Sequence, residues 1–396
     1  MSALIIEVCK VEEIIPIEKA DKLELIKVKG WQCVVSKGQY KIGDLVIYCP
    51  PDSVIPTDII EKYKLEFLKK NGRVGTIKLR GAISQGLILD IPQPMGHSWI
   101  AGLDVAIMMG ITKYEPPEPE YGMGKPKEKV SDLWIKYKGK EITFRRFVFK
   151  SIGVIKDNYS TLKKKKLNPH FDKYTDIENI NNYNNVIKEG EVVIITEKLH
   201  GCNARYGNLQ ISTERLWDKI KYKLFGSNEF VYGSRTVQKR WTNIHKGYYK
   251  EDVWGEIARR YKINEWLPKD YLLYGEIIGE GIQKGYSYGL KGTEIYIFDV
   301  KYKNEYLNWE DLQKFYNEYL LPHNMKQVPI LFVGQYNDDL RKILTKGFST
   351  LIGAEKIIRE GVVIRPTVER IEHMGRAILK SINEEYLLIK NNTDFH

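Results

Sequence analysis

The sequence predicts an α+β protein, with a small β-barrel first and then a larger domain in which strands alternate with helices. Three observations predict it. Residues 1–116 carry short apolar runs punctuated by glycine and proline at the spacing of a small barrel. A proline-rich, alternately charged piece, Glu115-Pro116-Pro117-Glu118-Pro119-Glu120, then interrupts any ladder, because prolines remove donors and stiffen the chain. From residue 171 onward apolar runs alternate with stretches of helical character. The 396 residues are enough for two or three domains with real cores.

In the first part, residues 5–8, 23–28, 31–35, 44–49, 75–79 and 86–89 read as strands. An OB-like barrel is the expectation for residues 1–116. Ala20-Asp21-Lys22-Leu23-Glu24-Leu25-Ile26-Lys27-Val28, followed by Gly43-Asp44-Leu45-Val46, resembles the tRNA-binding OB domains attached to some synthetases. Such barrels bind nucleic acid, but they also serve as packing modules. Residues 117–170 form a connector. Residues 141–149 within it are β-like, so it is expected to be partly structured. In residues 171–396, strands are expected over 191–196, 271–275, 294–300 and 361–365. A helix is expected over 309–321, with Asn308 as N-cap and Pro322 as its stop, and another over 350–359 behind Ser349.

Composition narrows the class. Sixty-two Lys+Arg against 51 Asp+Glu give a net charge of +11, and residues 124–170 hold 14 basic and 4 acidic residues, a local +10. Set beside Trp134, Tyr137, Phe144, Phe147 and Phe149, that charge suits a phosphate backbone; the bland reading is a solvated lysine-rich surface. Four scattered cysteines and seven histidines form neither a disulfide framework nor a zinc motif, which fits a reducing compartment. No run approaches the ~18 apolar residues of a membrane span, and the N-terminus lacks a signal-peptide pattern. A soluble protein of the cytoplasm or another intracellular compartment, away from membranes, is therefore expected, with a monomer as the favoured state.

Chemistry concentrates after residue 190. Val192-Val193-Ile194-Ile195-Thr196-Glu197-Lys198-Leu199-His200-Gly201 is a buried strand that delivers a lysine at its end, then a glycine that lets backbone approach a ligand, then Arg205. Further on stand Phe230-Val231-Tyr232-Gly233-Ser234-Arg235, Leu272-Leu273-Tyr274-Gly275-Glu276, Ile295-Tyr296-Ile297-Phe298-Asp299-Val300, Glu360-Gly361-Val362-Val363-Ile364-Arg365 and Ile378-Leu379-Lys380. The glycines at 279, 281 and 285 fit no dinucleotide fingerprint, and no phosphate-cradling Gly-x-x-x-x-Gly-Lys-Ser/Thr loop is present.

In this order and at these separations the six segments resemble motifs I, Ia, III, IIIa, IV and V of the covalent nucleotidyltransferases. The run Asp172-Lys173-Tyr174-Thr175-Asp176-Ile177-Glu178-Asn179 resembles the opening of the catalytic domain in one clade, the ATP-dependent RNA ligases with an N-terminal OB module. The resemblance implies antiparallel sheets with flanking helices for residues 171–396. It implies Lys198 as the nucleophile toward the α-phosphate of ATP, with Lys380 contacting that phosphate during adenylylation and transfer. Arg205 and Arg235 would contact ribose or phosphate, Glu276 a ribose hydroxyl, Phe298 the adenine face, and main-chain groups near Glu197 the adenine edge. The bland reading of Phe298 is a core phenylalanine, and that of Glu360 a strand-edge surface carboxylate. Glu360 would otherwise hold a divalent ion, Mg²⁺ or Mn²⁺, through water.

A free lysine with a pKa near 10.4 is less than about 0.1% neutral at pH 7, so cations and desolvation around Lys198 must lower it. The implied activity is ligation of 3′-hydroxyl to 5′-phosphate RNA ends through lysyl-AMP and an adenylylated 5′ end, in RNA repair or nick sealing. Nicked duplex or splinted RNA ends would be the partner. The alternative is a non-catalytic RNA-binding protein on a degenerate transferase fold. Only 16 residues follow Lys380, so the C-terminal OB domain of DNA ligases and capping enzymes is not expected. Two positions depart from the family pattern. His200 stands where many relatives have aspartate, with no His or Cys partner at ligand spacing, and Lys380 is followed by Ser381-Ile382 instead of completing Lys-x-Lys.

Overall fold

The structure is a computed structural model, and it describes residues 4–18, 20–69, 71–92, 99–114, 134–137, 140–143, 168–211, 228–241, 252–283 and 286–389. Most of the basic connector, including Lys163–Lys166, Phe144, Phe147 and Phe149, lies outside the described residues. Trp134–Tyr137 and Lys140–Thr143 form an antiparallel hairpin there, so the expected β-like piece begins one residue early.

The N-terminal strands form two three-stranded antiparallel sheets, with Ser53–Val54 and Thr112–Lys113, and Thr76–Leu79 and Ala82–Gln85, as two further antiparallel pairs. Glu7–Lys10 pairs with Leu45–Cys49, which pairs with Leu87–Leu89. Leu23–Val28 lies between Glu13–Pro16 and Trp31–Ser36. The turn between the latter two, Lys29-Gly30, has positive φ at both residues (49° and 75°), the two-residue geometry that matches the twist of a hairpin. Ile26, Val28, Trp31, Cys33, Val46 and Tyr48 alternate inward and fill the barrel. All four cysteines are buried free thiols. The sequence pattern missed the short helix Thr57–Lys62, which buries Ile59 and Ile60.

The C-terminal domain consists of two main sheets, a two-stranded ribbon of Ile371–Glu372 and Gly375–Arg376, and a few helices, and the sheets are antiparallel apart from two short pairs. One sheet has the order Glu178–Asn179, Leu379–Ile382, Gly361–Pro366, Val192–Lys198, Ile330–Gln335. In the other, Tyr271–Gly279 lies between Cys202–Gln210 and Thr293–Tyr302, and Asn228–Gly233 flanks the former. Val192–Lys198 reads as an unbroken apolar run because it has neighbours on both sides and its middle is buried on both faces. Helices Val253–Arg260 and Trp309–Phe315 pack against the larger sheet, with Ile257 and Leu312 in one buried cluster with Leu273, Ile277 and Ile297. Among the described residues no helix is long and apolar enough to cross a membrane.

Two helix expectations need correction. The helix beginning at Trp309 is α-helical only to Phe315 and continues as a π turn and a 3-10 turn through His323. Asn308 stands at its N-cap position as expected, but makes no side-chain cap bond, because its Oδ1 accepts from the Glu369 amide (2.8 Å) instead. Residues 350–359 are turns, not a helix. Gly353 takes φ +86°, and the Thr350 amide is bound by the Glu197 carboxylate (2.8 Å), so tertiary contacts override the local propensity.

Candidate active site

The site is assembled where the chain crosses from the smaller sheet to the larger one. Lys198 ends its strand directly opposite Gly361, and Lys380 lies opposite Val363 on the far side of the same central strand. Opposed residues share a face, as do residues two apart, so both lysines project from one side of the sheet. Both are more than nine-tenths buried. The Lys198 ammonium is held by the fully buried Glu360 carboxylate, which rules out the surface-carboxylate reading of Glu360.

Two close approaches shape this corner. A Cβ on Gly201 would lie 2.2 Å from the Ile277 carbonyl oxygen, and one on Gly361 would lie 2.1 Å from that of Ser381. Only glycine lets the Lys198 turn press against the Tyr271–Gly279 strand. There the Gly201 amide donates to Glu276 Oε1 (3.1 Å). Burial pushes the Glu276 carboxyl up to about 8; Lys198 opposes that rise and Glu360 adds to it.

Phe298 owes its placement to a β-bulge. Tyr274 pairs with Asp299 and Gly275 with Ile297, so Phe298 is the extra residue with no opposite partner. Its ring is half-buried, edge-on to Tyr174 at 4.8 Å between centroids, between two apolar clusters. That is more open than an ordinary core phenylalanine.

Other expected residues have different surroundings. Arg205, on Cys202–Gln210, lies over the Phe171 ring (4.1 Å) and donates to the carbonyls of Phe171 (2.9 Å), Ser234 (2.6 Å) and Arg235 (3.1 Å). It holds the turn that presents Arg235, and it keeps little donor capacity for a ligand. Desolvation lowers its pKa to about 10. Arg235 is half-exposed and ion-paired with Asp176. The Glu197 carboxylate faces away from Lys198, accepting from Thr350 Oγ1 (2.7 Å) beside Arg359, and the Glu197 amide donates to the Pro329 carbonyl (2.9 Å). An adenine edge read near Glu197 therefore has to use other main-chain groups.

The departures from pattern also have surroundings. His200 is buried in an aromatic box, with Nδ1 3.1 Å from the Tyr386 hydroxyl and 3.9 Å from Glu360 and its ring edge-on to Tyr286. Ile382, which shares the face of Lys380, packs among Leu199, Tyr288 and Tyr386, while Ser381 binds Arg341 (2.7 Å) on the opposite face. Sequence reading missed the brace beneath Phe298. The fully buried Asp299 accepts from Arg376 (2.6 Å), Tyr174 (2.7 Å) and Arg365 (3.1 Å), and Arg376 also binds Glu369 (2.5 Å). Burial would raise the Asp299 carboxyl, but the two guanidinium charges hold it below its ordinary value. The Asp299 within Phe-Asp-Val was the available signal, since an aspartate inside an apolar strand demands a partner.

Comparison with known proteins matches the RNA ligase family model to residues 191–382 and an OB-fold family model to residues 5–91. Three solved structures of a Naegleria gruberi RNA ligase match nearly the whole chain. The complex with PPi gives a TM-score of 0.65 at 25% identity, covering 97% of this chain and 98% of that one. A single-site variant with AMP and Mn gives 0.66 at 25% identity over 97% and 98%. Another variant with ATP and Mn gives 0.63 at 25% over 96% and 97%. Residues 191–382 form an RNA ligase domain. The ligase domain spans all six motif segments, and the OB-fold domain precedes it, in the order the sequence predicts. Comparison with curated proteins found no match.

Proposed function

We propose that this chain is an ATP-dependent RNA ligase that joins a 3′-hydroxyl to a 5′-phosphate, with Lys198 as the adenylylated residue. The observation that carries the reading is the pairing of a buried, strand-end lysine with a buried glutamate, inside a domain of the RNA ligase family. The family match and the retained lysines and carboxylates favour catalysis over the non-catalytic RNA-binding alternative.

Lys198 Nζ, once deprotonated, attacks the α-phosphorus; a P–N bond forms, and the P–O bond to pyrophosphate breaks. A 5′-phosphate oxygen then displaces the lysine, and the 3′-hydroxyl attacks the 5′-phosphorus and expels AMP. Lys380, on the same face as Lys198, neutralises the α-phosphate in the first two steps. Glu276 accepts a ribose hydroxyl, Phe298 stacks on adenine, and Arg235, released from Asp176, meets ribose or phosphate. Arg205 acts chiefly by holding the Arg235 turn. The triphosphate must compete with Glu360 for the Lys198 ammonium, which links nucleotide entry to rearrangement of that pair.

A divalent ion fits this donor set only in part. Among the described residues no three His, Cys, Asp or Glu side chains converge on one point. Mg²⁺ or Mn²⁺ would therefore take most of its ligands from phosphate oxygens and water, with Glu360 reaching it through water. When bound, the ion offsets phosphate charge that would otherwise repel incoming nucleophiles. The OB-fold domain and the +11 net charge support a nicked duplex or splinted ends as the RNA partner.

The test is a mass spectrum of protein incubated with ATP or GTP and Mg²⁺ or Mn²⁺. The peptide containing Lys198 should gain one AMP from ATP, and Lys198→Ala should gain none. Labelling from GTP alone, or undiminished labelling of Lys198→Ala, would overturn the assignment.

A further inference from the structure

Between Lys198 and the next strand the backbone leaves one sheet and has not yet joined the other, so its polar groups need side-chain partners. Three such bonds lie within three residues of the nucleophile. The His200 amide donates to the Tyr288 hydroxyl (2.8 Å), the Gly201 amide donates to Glu276 (3.1 Å), and the Gly201 carbonyl accepts from Gln283 Nε2 (2.8 Å). All three partners come from the Tyr271–Gly279 strand and the segment that follows it. Tyr288 is 1% exposed and has φ +52°, a left-handed conformation that bulky residues adopt only where their surroundings impose it. Its ring packs in the same cluster as Leu199, so side chain and hydroxyl both engage the Lys198 turn. Backbone strain that places one hydroxyl under one amide points to a requirement at that amide.

We propose that Gln283 and Tyr288 are positioning residues for the nucleophile. They lock the Leu199-His200-Gly201 turn so that Lys198 Nζ is held in line with the phosphate it attacks. The proposal rests on the reading of Lys198 as the adenylylated residue, and it deepens that reading by assigning the geometry of the attack to two residues outside the six motif segments. A nucleophile displaced by even a fraction of an ångström loses rate without losing substrate affinity. The predicted signature is therefore confined to lysyl-AMP formation.

The experiment uses the full chain carrying Tyr288→Phe or Gln283→Met, which remove the hydroxyl or the amide donor at nearly constant volume. Three quantities are read: the single-turnover rate of protein-AMP formation at saturating ATP, the ATP concentration at half-saturation, and the rate of sealing RNA whose 5′ end is already adenylylated. The last reaction needs no attack by Lys198. The first rate should fall about tenfold to a hundredfold, the factor that corresponds to one unpaired buried backbone group, the His200 amide in one variant and the Gly201 carbonyl in the other. Half-saturation and sealing should stay within about threefold, as expected when only transition-state alignment is lost. Adenylylation at the unaltered rate in both variants, or equal losses in both reactions, would refute positioning. If Tyr288→Phe does not fold, Gln283→Met, on a half-buried side chain, decides alone. Failure of the unaltered protein to take up AMP would instead sink the ligase reading beneath the proposal.

Discussion

Glu276 shows how a single side chain reports on its site. Its carboxyl is pushed up to about 8 from an ordinary value of 4.5, chiefly by burial. Between those values the folded protein holds a proton that the unfolded chain has released, so stability contributed by this group falls as pH rises. We expect the melting temperature of the ligand-free protein to drop from pH 5 to pH 8, and to drop less in Glu276→Gln, which cannot titrate. Parallel curves for the two proteins would contradict the assignment. The residue scale is also where sequence reading was most exposed. Lys198 pairs with Glu360, Glu276 binds the Gly201 amide beside them, and Lys380 lies on the same face of the sheet as Lys198. The Glu197 side chain instead faces the other way, because alternation along a strand puts neighbours on opposite faces. The fork of Arg205 is spent mostly on carbonyls.

At the scale of elements, the glycine three residues after the strand-end lysine is tightly constrained. An alanine there has its Cβ 2.2 Å from the Ile277 carbonyl, a backbone atom that cannot swing aside. Gly201→Ala should cost about 1–3 kcal/mol in a urea titration, the usual range for overpacking, and should nearly abolish AMP uptake, since the strands must part next to Lys198. Wild-type stability and labelling would show that the turn yields freely. The bulge at Phe298 belongs to the same scale. A strand of alternating apolar residues gave no sign that its register slips by one there, because that slip is set by pairing with Tyr271–Gly279. Strand existence was legible through apolar runs and glycine punctuation. Residues 350–359 were misread because an N-cap-like serine carries no information about the distant Glu197 that binds the next amide.

Across the whole molecule, the two sheets of the ligase domain are joined by Asp299 of one and Arg365 of the other, with Arg376 as a second partner. Asp299→Ala leaves two nine-tenths-buried guanidinium groups without that carboxylate and should cost about 3–5 kcal/mol, measured by denaturant unfolding. A loss under about 1 kcal/mol would mean Glu369 alone satisfies them. The OB-fold domain touches the ligase domain through its Lys29-Gly30 hairpin tip, where Asn181 Nδ2 donates to the Gly30 carbonyl (3.4 Å). Charge acts over the same scale. Replacing Lys163–Lys166 with serine should make the logarithmic salt dependence of RNA binding shallower by about 3, if those four lysines contact phosphates. An unchanged slope would leave them as a solvated surface.

The sequence by itself determined the order of the domains and the main strands that carry the motif residues of the ligase domain. Those depend on local pattern: apolar runs, a glycine where no Cβ fits, charged residues at strand ends. Only the tertiary structure decided what binds the Glu197 carboxylate, what occupies Arg205, the bulge that places Phe298 and which side chains hold the Lys198 turn. The physical reason is that each of these is fixed by a partner tens of residues or more away. Hydrogen-bond geometry and strand register between such partners leave no periodicity in the chain for a reader to find.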